Sequence, residues 1–202
     1  MKNLYLILII FILSSCEISI NKDHVAEGTR LMQGGDYFNA ALEFDDALFS
    51  DKNNLDALRG KYLCNMNMGY MDKAFDAANR FIALEPDSSV GYNDRGTIYM
   101  LKKDYDNALK DLNKVIAIEK QNNPFIAYFN KGEVLRELDR DEEAIECFRI
   151  VIAHDGNDAR AWFKMGKSYA KLEMRDSACF VYEKAIRLGD PDAGKEFDTI
   201  CK

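Results

Sequence analysis

Residues 92–119 read YNDRGTIYMLKKDYDNALKDLNKVIAIE, and their spacing decides the fold. Tyr92, Gly96 and Tyr99 stand at i, i+4 and i+7, on one face of a helix. After a polar break at Lys103 and Asp104, the residues Ala108, Leu112 and Val115 repeat that rhythm. The reading is a pair of amphipathic helices joined by a short turn. A glycine on the first helix and an alanine on the second let two backbones approach closely, so Gly96 is expected to face Ala108, and by the same logic Gly132 to face Ala144, with aromatic side chains around the contact. One such pair cannot bury its apolar face alone, so neighbours must stack on it.

Outward from this stretch the same unit returns. Ala40, Ala74, Ala108, Ala144 and Ala178 recur at spacings of 34, 34, 36 and 34 residues, and twelve residues before each stands Gly28, Tyr62, Gly96, Gly132 or Gly166. Turn residues fall where the unit needs them, at Gly34 and Gly35, Gly69, Lys103 and Asp104, and Asp139 and Arg140, while Pro86 and Pro191 lie just past second helices. The two extra residues in the longer spacing are assigned to Asn123 as a helix cap and Pro124 as the first helical residue. A near-constant period of this length marks a helical repeat array.

The pattern resembles the tetratricopeptide repeat. The residues carrying the likeness are Tyr92, Gly96, Tyr99, Ala108 and Leu112 in the quoted stretch, and Trp162, Gly166, Tyr169, Ala178, Tyr182 and Ala185 in the last unit. Departures are Tyr62 at a small position, Phe81 at a position that usually holds alanine, and His24 at the first large position. The resemblance implies an all-α, right-handed solenoid of about five repeats, placed at 21–54, 55–88, 89–122, 125–158 and 159–192, with 193–202 as a capping helix. In that helix Ala193, Phe197 and Ile200 share one side, suited to covering the last apolar face.

The chain opens MKNLYLILIIFILSSC, with one lysine, an apolar run from Leu4 to Leu13, two serines and a cysteine. That order is the form of a secretory signal, and the run is too short for a spanning helix, which needs about 20 residues. Leu13 to Cys16 resembles a bacterial lipoprotein signal, which implies that residues 1–15 are removed and that Cys16 carries lipid at the start of a short tether, 16–22. Asp23 is then the cap of the first repeat helix. The expected location is the bacterial envelope, lipid-anchored and facing the periplasm, at the outer membrane. The net charge of -7 becomes -8 once Lys2 is lost, which disfavours nucleic acid and anionic lipid as partners.

Neither histidine, His24 or His154, has a cysteine or carboxylate at ligand spacing, so no metal or other cofactor is expected, and His154 reads as a cation complementing a helix end. The acidic pairs Asp45 with Asp46 and Glu142 with Glu143 read as solvated helix faces. No phosphate-binding loop or serine nucleophile elbow occurs, and the reading is not an enzyme. Cys64 and Cys147 read as packing residues, while Cys179 and Cys201 are the one pair considered for a disulfide, because the capping helix must fold back on repeat five.

The resemblance further implies that first helices line a concave groove for a protein or peptide partner. The groove residues are Met66, Asn93, Thr97 and Met100, then Phe129, Glu133 and Arg136, then Arg160, Phe163, Lys164, Lys167 and Lys171, with Arg59 and Leu63 beside them. Val25 and Thr29 occupy the places where the family's carboxylate-clamp members have lysine and asparagine, which removes that specificity. Met32, Met66 and Met100 recur every 34 residues as an adaptable stripe, weighed against simple packing between repeats. Arg160, Lys164, Lys167 and Lys171 form a basic stripe beside Phe163, suited to an acidic partner or else an ordinary solvated face. A glycan-binding lipoprotein, with Phe129 and Phe163 as stacking rings, is the alternative, and a hydrolytic carboxylate pair a more distant one.

Overall fold

The computed structural model describes residues 24–122 and 124–202. The leader, Cys16, the tether, Asp23 and Asn123 lie outside the described residues. Among those described, the chain is all-α: α1 (24–33), α2 (Tyr37–Ser50), α3 (Leu55–Asn67), α4 (Met71–Leu84), α5 (Ser89–Leu101), α6 (Tyr105–Ile118), α7 (Phe125–Glu137), α8 (Asp141–His154), α9 (Ala159–Lys171), α10 (Arg175–Arg187) and α11 (Ala193–Cys201). They are the five expected helix pairs and the terminal helix. Two compact units form, one ending at Asp94 and one beginning at Arg95, so the boundary falls inside α5.

One turn closes every pair. Gly35, Gly69, Lys103, Asp139 and Glu173 all have positive φ, between 58° and 82°, and the next residue donates its backbone N–H to a carbonyl five residues back, as Tyr70 does to Asn65 at 2.8 Å and Met174 to Tyr169 at 2.9 Å. This left-handed residue ends the first helix and satisfies its last carbonyls. Glycine fills the position in the first two repeats, whereas lysine, aspartate and glutamate are held there in the others. Asp36 and Asp104 then cap the second helices by accepting from the N–H of Asn39 and Asn107. Pro124 takes the cap position of α7, one residue earlier than the sequence pattern places it.

The close approach between helices differs from the one expected. The repeat alanines are fully buried, yet the space beside Gly132 is filled by the ring of Phe148, which would lie 2.7 Å from a Cβ there, and not by Ala144. The same geometry sets Phe44 against Gly28 and Tyr182 against Gly166, while Asp111 and Leu112 flank Gly96. The notch therefore accepts the residue sixteen places on, one helical turn beyond the alanine, because a glycine leaves room for a whole ring rather than for a methyl group. Repeat two exchanges the sizes: Tyr62 occupies the small position and Ala78 the large one, and both are buried. A second exchange explains Phe81, which is buried where other repeats have alanine or valine. Gly91 stands opposite it where repeats two, four and five have Ala57, Ala127 and Ala161, and a Cβ at Gly91 would meet Phe81 at 3.1 Å and Ile82 at 2.7 Å.

In the first unit the core gathers around Phe44, Leu48, Leu58, Cys64 and Phe81. In the second it runs through Leu135, Phe148, Phe163, Met165, Tyr169 and Tyr182 to Ala193, with Phe197 and Ile200 of α11 packed against it. The terminal helix is fixed covalently, since Cys179 of α10 and Cys201 of α11 form a disulfide. Cys64 and Cys147 are free and buried, and burial pushes each thiol up to about 11. His154 ends α8 as expected and stacks on Phe125, ring centres 4.1 Å apart.

Phe44 is enclosed on two sides, because a Cβ at Gly60 would lie 2.3 Å from its ring and one at Gly28 2.9 Å. Gly60→Ala is expected to cost about 1 to 3 kcal/mol by overpacking, more than the ~1 kcal/mol alanine gains as a helix former. A lower denaturation midpoint, partly restored by adding Phe44→Leu, is the expected result. Glu173→Gly should raise stability by up to about 1 kcal/mol, because it relieves a left-handed residue in a turn that demands one. Urea unfolding of the variant checks it.

Candidate functional site

The first-helix face of the second unit is built by α7 and α9, with α8 and α11 at its margins. Here the basic stripe is not open. Lys164 pairs with Glu133, Lys171 with Asp139 and, at 3.3 Å, with Asp141, Lys167 approaches Glu196 at 3.9 Å, and Arg160 meets Asp158 at 3.0 Å. Hydrogen bonding to Asp139 holds the Lys171 ammonium above its usual range. Arg136 lies 3.5 Å from Glu133, and its Nε stands 3.9 Å from Asp141 Oδ1, both atoms buried and without a hydrogen bond. The three lysines of α9 are paired with acids 29 to 32 residues away, which only helix stacking brings near, while Arg160 meets the cap of its own helix.

The aromatic residues of this face are also engaged. Phe163, expected in the groove, is 7% exposed and belongs to the core, its ring tilted against Tyr182 with Lys167 Nζ 5.7 Å above it. It faces inward because α10 packs on α9 at that point. Phe129 is half-buried, edge-on to Phe148, and covered by the Arg160 guanidinium at 5.2 Å. Neither ring offers the open platform that sugar stacking needs.

In the first unit, Met32 packs on the core and Met66 is half-buried, and Thr29 donates its hydroxyl to the Val25 carbonyl at 2.8 Å. In α5, Asn93, Thr97 and Met100 are half-buried, Met100 and Thr97 within the second unit. Arg59 is exposed, and near it Asp94 is buried; burial pushes the Asp94 carboxyl up to about 6, against the opposing pull of Arg59. His24 is not isolated from carboxylates, as its spacing suggested. Packing of α1 on α2 sets its Nδ1 2.8 Å from Glu43, and with Asp46 the three offer ligand atoms within 4.8 Å of one another. The hydrogen bond between His24 and Glu43 accounts for their proximity without an ion.

A cleft that sequence reasoning missed lies on the other side of the first unit. It has a volume of about 660 Å³, with α3 as its floor and α2 and α4 as its walls. Phe38, Leu42 and Tyr70 on its rim are half or more exposed, and Phe49, further along α2, is 94% exposed. The signal was present, since Phe38, Leu42 and Phe49 stand at i, i+4 and i+11 on the outward face of a helix.

Helix pairs of this size, closed by one recurrent turn and in three of five packed ring against glycine, define a class of helical-repeat binding protein. Residues 91–122, 126–153 and 159–196 match the tetratricopeptide repeat family model. These three stretches carry tetratricopeptide repeats, and the fold of the chain is that of tetratricopeptide-repeat proteins. Human protein O-mannosyl-transferase TMTC1 (Homo sapiens) is 27% identical over 137 residues, 67% of this chain and 15% of that protein. Human tetratricopeptide repeat protein 28 is 30% identical over 112 residues, 54% of this chain and 4% of that protein, so the chain spans a small part of these relatives. Among solved structures, MamA superposes with a TM-score of 0.74 at 23% identity, covering 83% of this chain and 96% of that one. YrrB, described as a TPR protein with an unusual peptide-binding site, gives 0.73 at 21% identity over 87% and 90%. The pilF protein of Pseudomonas aeruginosa gives 0.76 at 17% over 86% and 78%. At these identities the likeness is one of fold.

Asp94 makes the first unit sensitive to pH. Its carboxyl is harder to ionise folded than unfolded, where the ordinary value is 3.8, so its contribution is complete below about pH 4 and is lost as the pH rises through about 6. Asp94→Asn cannot ionise and should lose less stability than wild type between about pH 4 and about pH 7, a difference on the order of 1 to 3 kcal/mol. Unfolding midpoints at the two pH values give the comparison.

Proposed function

We propose that this protein is a lipid-anchored tetratricopeptide-repeat scaffold that mediates protein–protein interactions at the bacterial cell envelope, facing the periplasm. The observation that carries the reading is the disulfide between Cys179 and Cys201. Such bonds persist in oxidising compartments and are rare in the cytosol, and the leader ending in Leu13 to Cys16 is the form of an export and lipidation signal. The repeat fold supports binding rather than catalysis, and the peptide-binding site attributed to YrrB supports a peptide or protein as the class of ligand. Among the described residues no helix is long and apolar enough to cross a membrane, so the anchor in this reading is the acyl group on Cys16. More than one acyl chain on that residue is needed for stable attachment, each buried CH₂ contributing about 0.8 kcal/mol.

The test is labelling in cells. Wild-type protein should incorporate a fatty-acid analogue and sediment with membranes, while Cys16→Ala should do neither. Alkylation of the isolated protein without reductant should leave Cys179 and Cys201 blocked and modify Cys64 and Cys147 only after unfolding. Equal labelling of wild type and Cys16→Ala, or free thiols at 179 and 201, would overturn the location.

A further inference from the structure

The cleft of the first unit exists because repeat two lacks two large side chains that the other repeats possess. At the position of Asn65 they carry Leu31, Tyr99, Leu135 and Tyr169; at the position of Leu58, repeats three to five carry Tyr92, Tyr128 and Trp162. The smaller pair lines the hollow between α2 and α4. Asn65 is buried to all but 3%, and its Nδ2 has no hydrogen-bond partner among the described residues. An amide in this position is a polar anchor left for something else to meet.

The rim departs from the repeat pattern as well. Where α2 presents Phe38, the equivalent residues are Asp72, Asp106, Glu142 and Asp176, all acidic. Where it presents Leu42 they are Asp76, Lys110, Glu146 and Phe180, and where it presents Phe49 they are Ala83, Ala117, Ala153 and Arg187. The repeat position of Phe38 thus holds charge in the other second helices, which fold without an apolar stripe there. Opposite, on α4, Lys73 lies 5.1 Å from the Tyr70 ring and Arg80 donates to the Lys52 carbonyl at 2.8 Å. Among the described residues neither has a carboxylate within ion-pair distance, unlike every cation of the α9 stripe; Asp76 lines the same wall between them, and the one other lysine of the cleft, Lys61, is neutralised by Asp45, which leaves the lining with one more cation than acids.

We propose that this cleft binds an acidic amphipathic helix of another protein, which inserts one bulky side chain over Leu58 and Asn65 and sets its carboxylates against Lys73 and Arg80. The inserted group takes the place of the tyrosine or tryptophan that the other repeats supply for themselves. A hollow with a polar anchor in its floor fits a protruding side chain better than a flat lipid surface, and charge on the rim selects the acidic form and speeds its encounter. The proposal rests on the reading of the chain as a protein-binding scaffold and locates a site on second helices, away from the first-helix groove.

The full chain in detergent is titrated with two fluorescent helical peptides about four turns long, each with tyrosine and leucine on one face. One carries glutamate and the other lysine on the flanks. The glutamate peptide should bind at least about tenfold more tightly, equivalent to about 1.4 kcal/mol. Lys73→Glu with Arg80→Glu should reverse that preference. Asn65→Leu, which fills the hollow as repeats one and four do, should raise the unfolding midpoint yet weaken the glutamate peptide by about tenfold or more. Phe38→Asp with Leu42→Asp, charges that α4 already carries at these positions, should keep helicity and lose binding. Indistinguishable binding of the two peptides, wild-type affinity in the filled or charge-reversed variant, or binding of neither peptide overturns the proposal. So does self-association abolished by the Phe38 and Leu42 changes, or adsorption to phosphatidylglycerol vesicles that displaces the glutamate peptide. None of these results bears on Cys16 labelling, so failure here is distinct from failure of the anchored-scaffold reading.

Discussion

A ring lying where a glycine has no side chain is the contact on which three of the five helix pairs depend, and the other two keep its fit with different sizes. Phe148 against Gly132 and Tyr182 against Gly166 bring a first and a second helix together around one large apolar group, and Phe44 does so against two glycines at once. In a close-packed interior a notch and the group that fills it must change together. That coupling explains the exchange of Tyr62 with Ala78 and of Phe81 with Gly91, which appear as faults in a repeat pattern and are each compensated across the interface. The consequence is a fold whose repeats share a backbone plan without sharing a surface.

Surface chemistry then follows from which charges the stacking brings together. On α9 every cation expected to greet a partner has an acid beside it, from α7, α8 or α11 or from its own helix start, and the neighbouring ring of Phe163 is core. Exposed ion pairs of this sort contribute little stability, about 0 to 1 kcal/mol each, but they remove the uncompensated charge that would steer an acidic ligand. The first unit shows the converse. Among the described residues Lys73 and Arg80 have no carboxylate at ion-pair distance beside an apolar rim, and the hollow between α2 and α4 is floored by two undersized residues.

The terminal helix completes the stack. Ala193, Phe197 and Ile200 cover the apolar end of the last pair, which an uncapped stack would expose, and the bond from Cys179 to Cys201 fixes that cover covalently. A small helix of nine residues has limited apolar area to hold itself in place. The disulfide supplies the constraint that so small an area lacks.

The period of the alanines, the i, i+4, i+7 spacing in each helix and the turns between them are local properties, and they were enough to determine the all-α repeat plan, the helix pairs and the covering role of residues 193–202. Periodicity reports which side of a helix is apolar, but not which residue of the next helix meets it. For that reason periodicity misplaces the partner of Gly132 by one turn, sets Phe163 in a groove rather than in the core, and leaves His24 without Glu43. The ion pairs of the α9 lysines join residues 29 to 32 apart, whereas the disulfide is the one pair that the fold-back of the capping helix singles out, although cysteine spacing alone suggests no framework. The cleft was legible only by comparing each repeat with the others, since an asparagine at position 65 means nothing until two further helices form walls around it. Sequence determined the elements because helix formation depends on neighbours in the chain; tertiary structure decided the surfaces because charge pairing and hollow volume depend on neighbours in space.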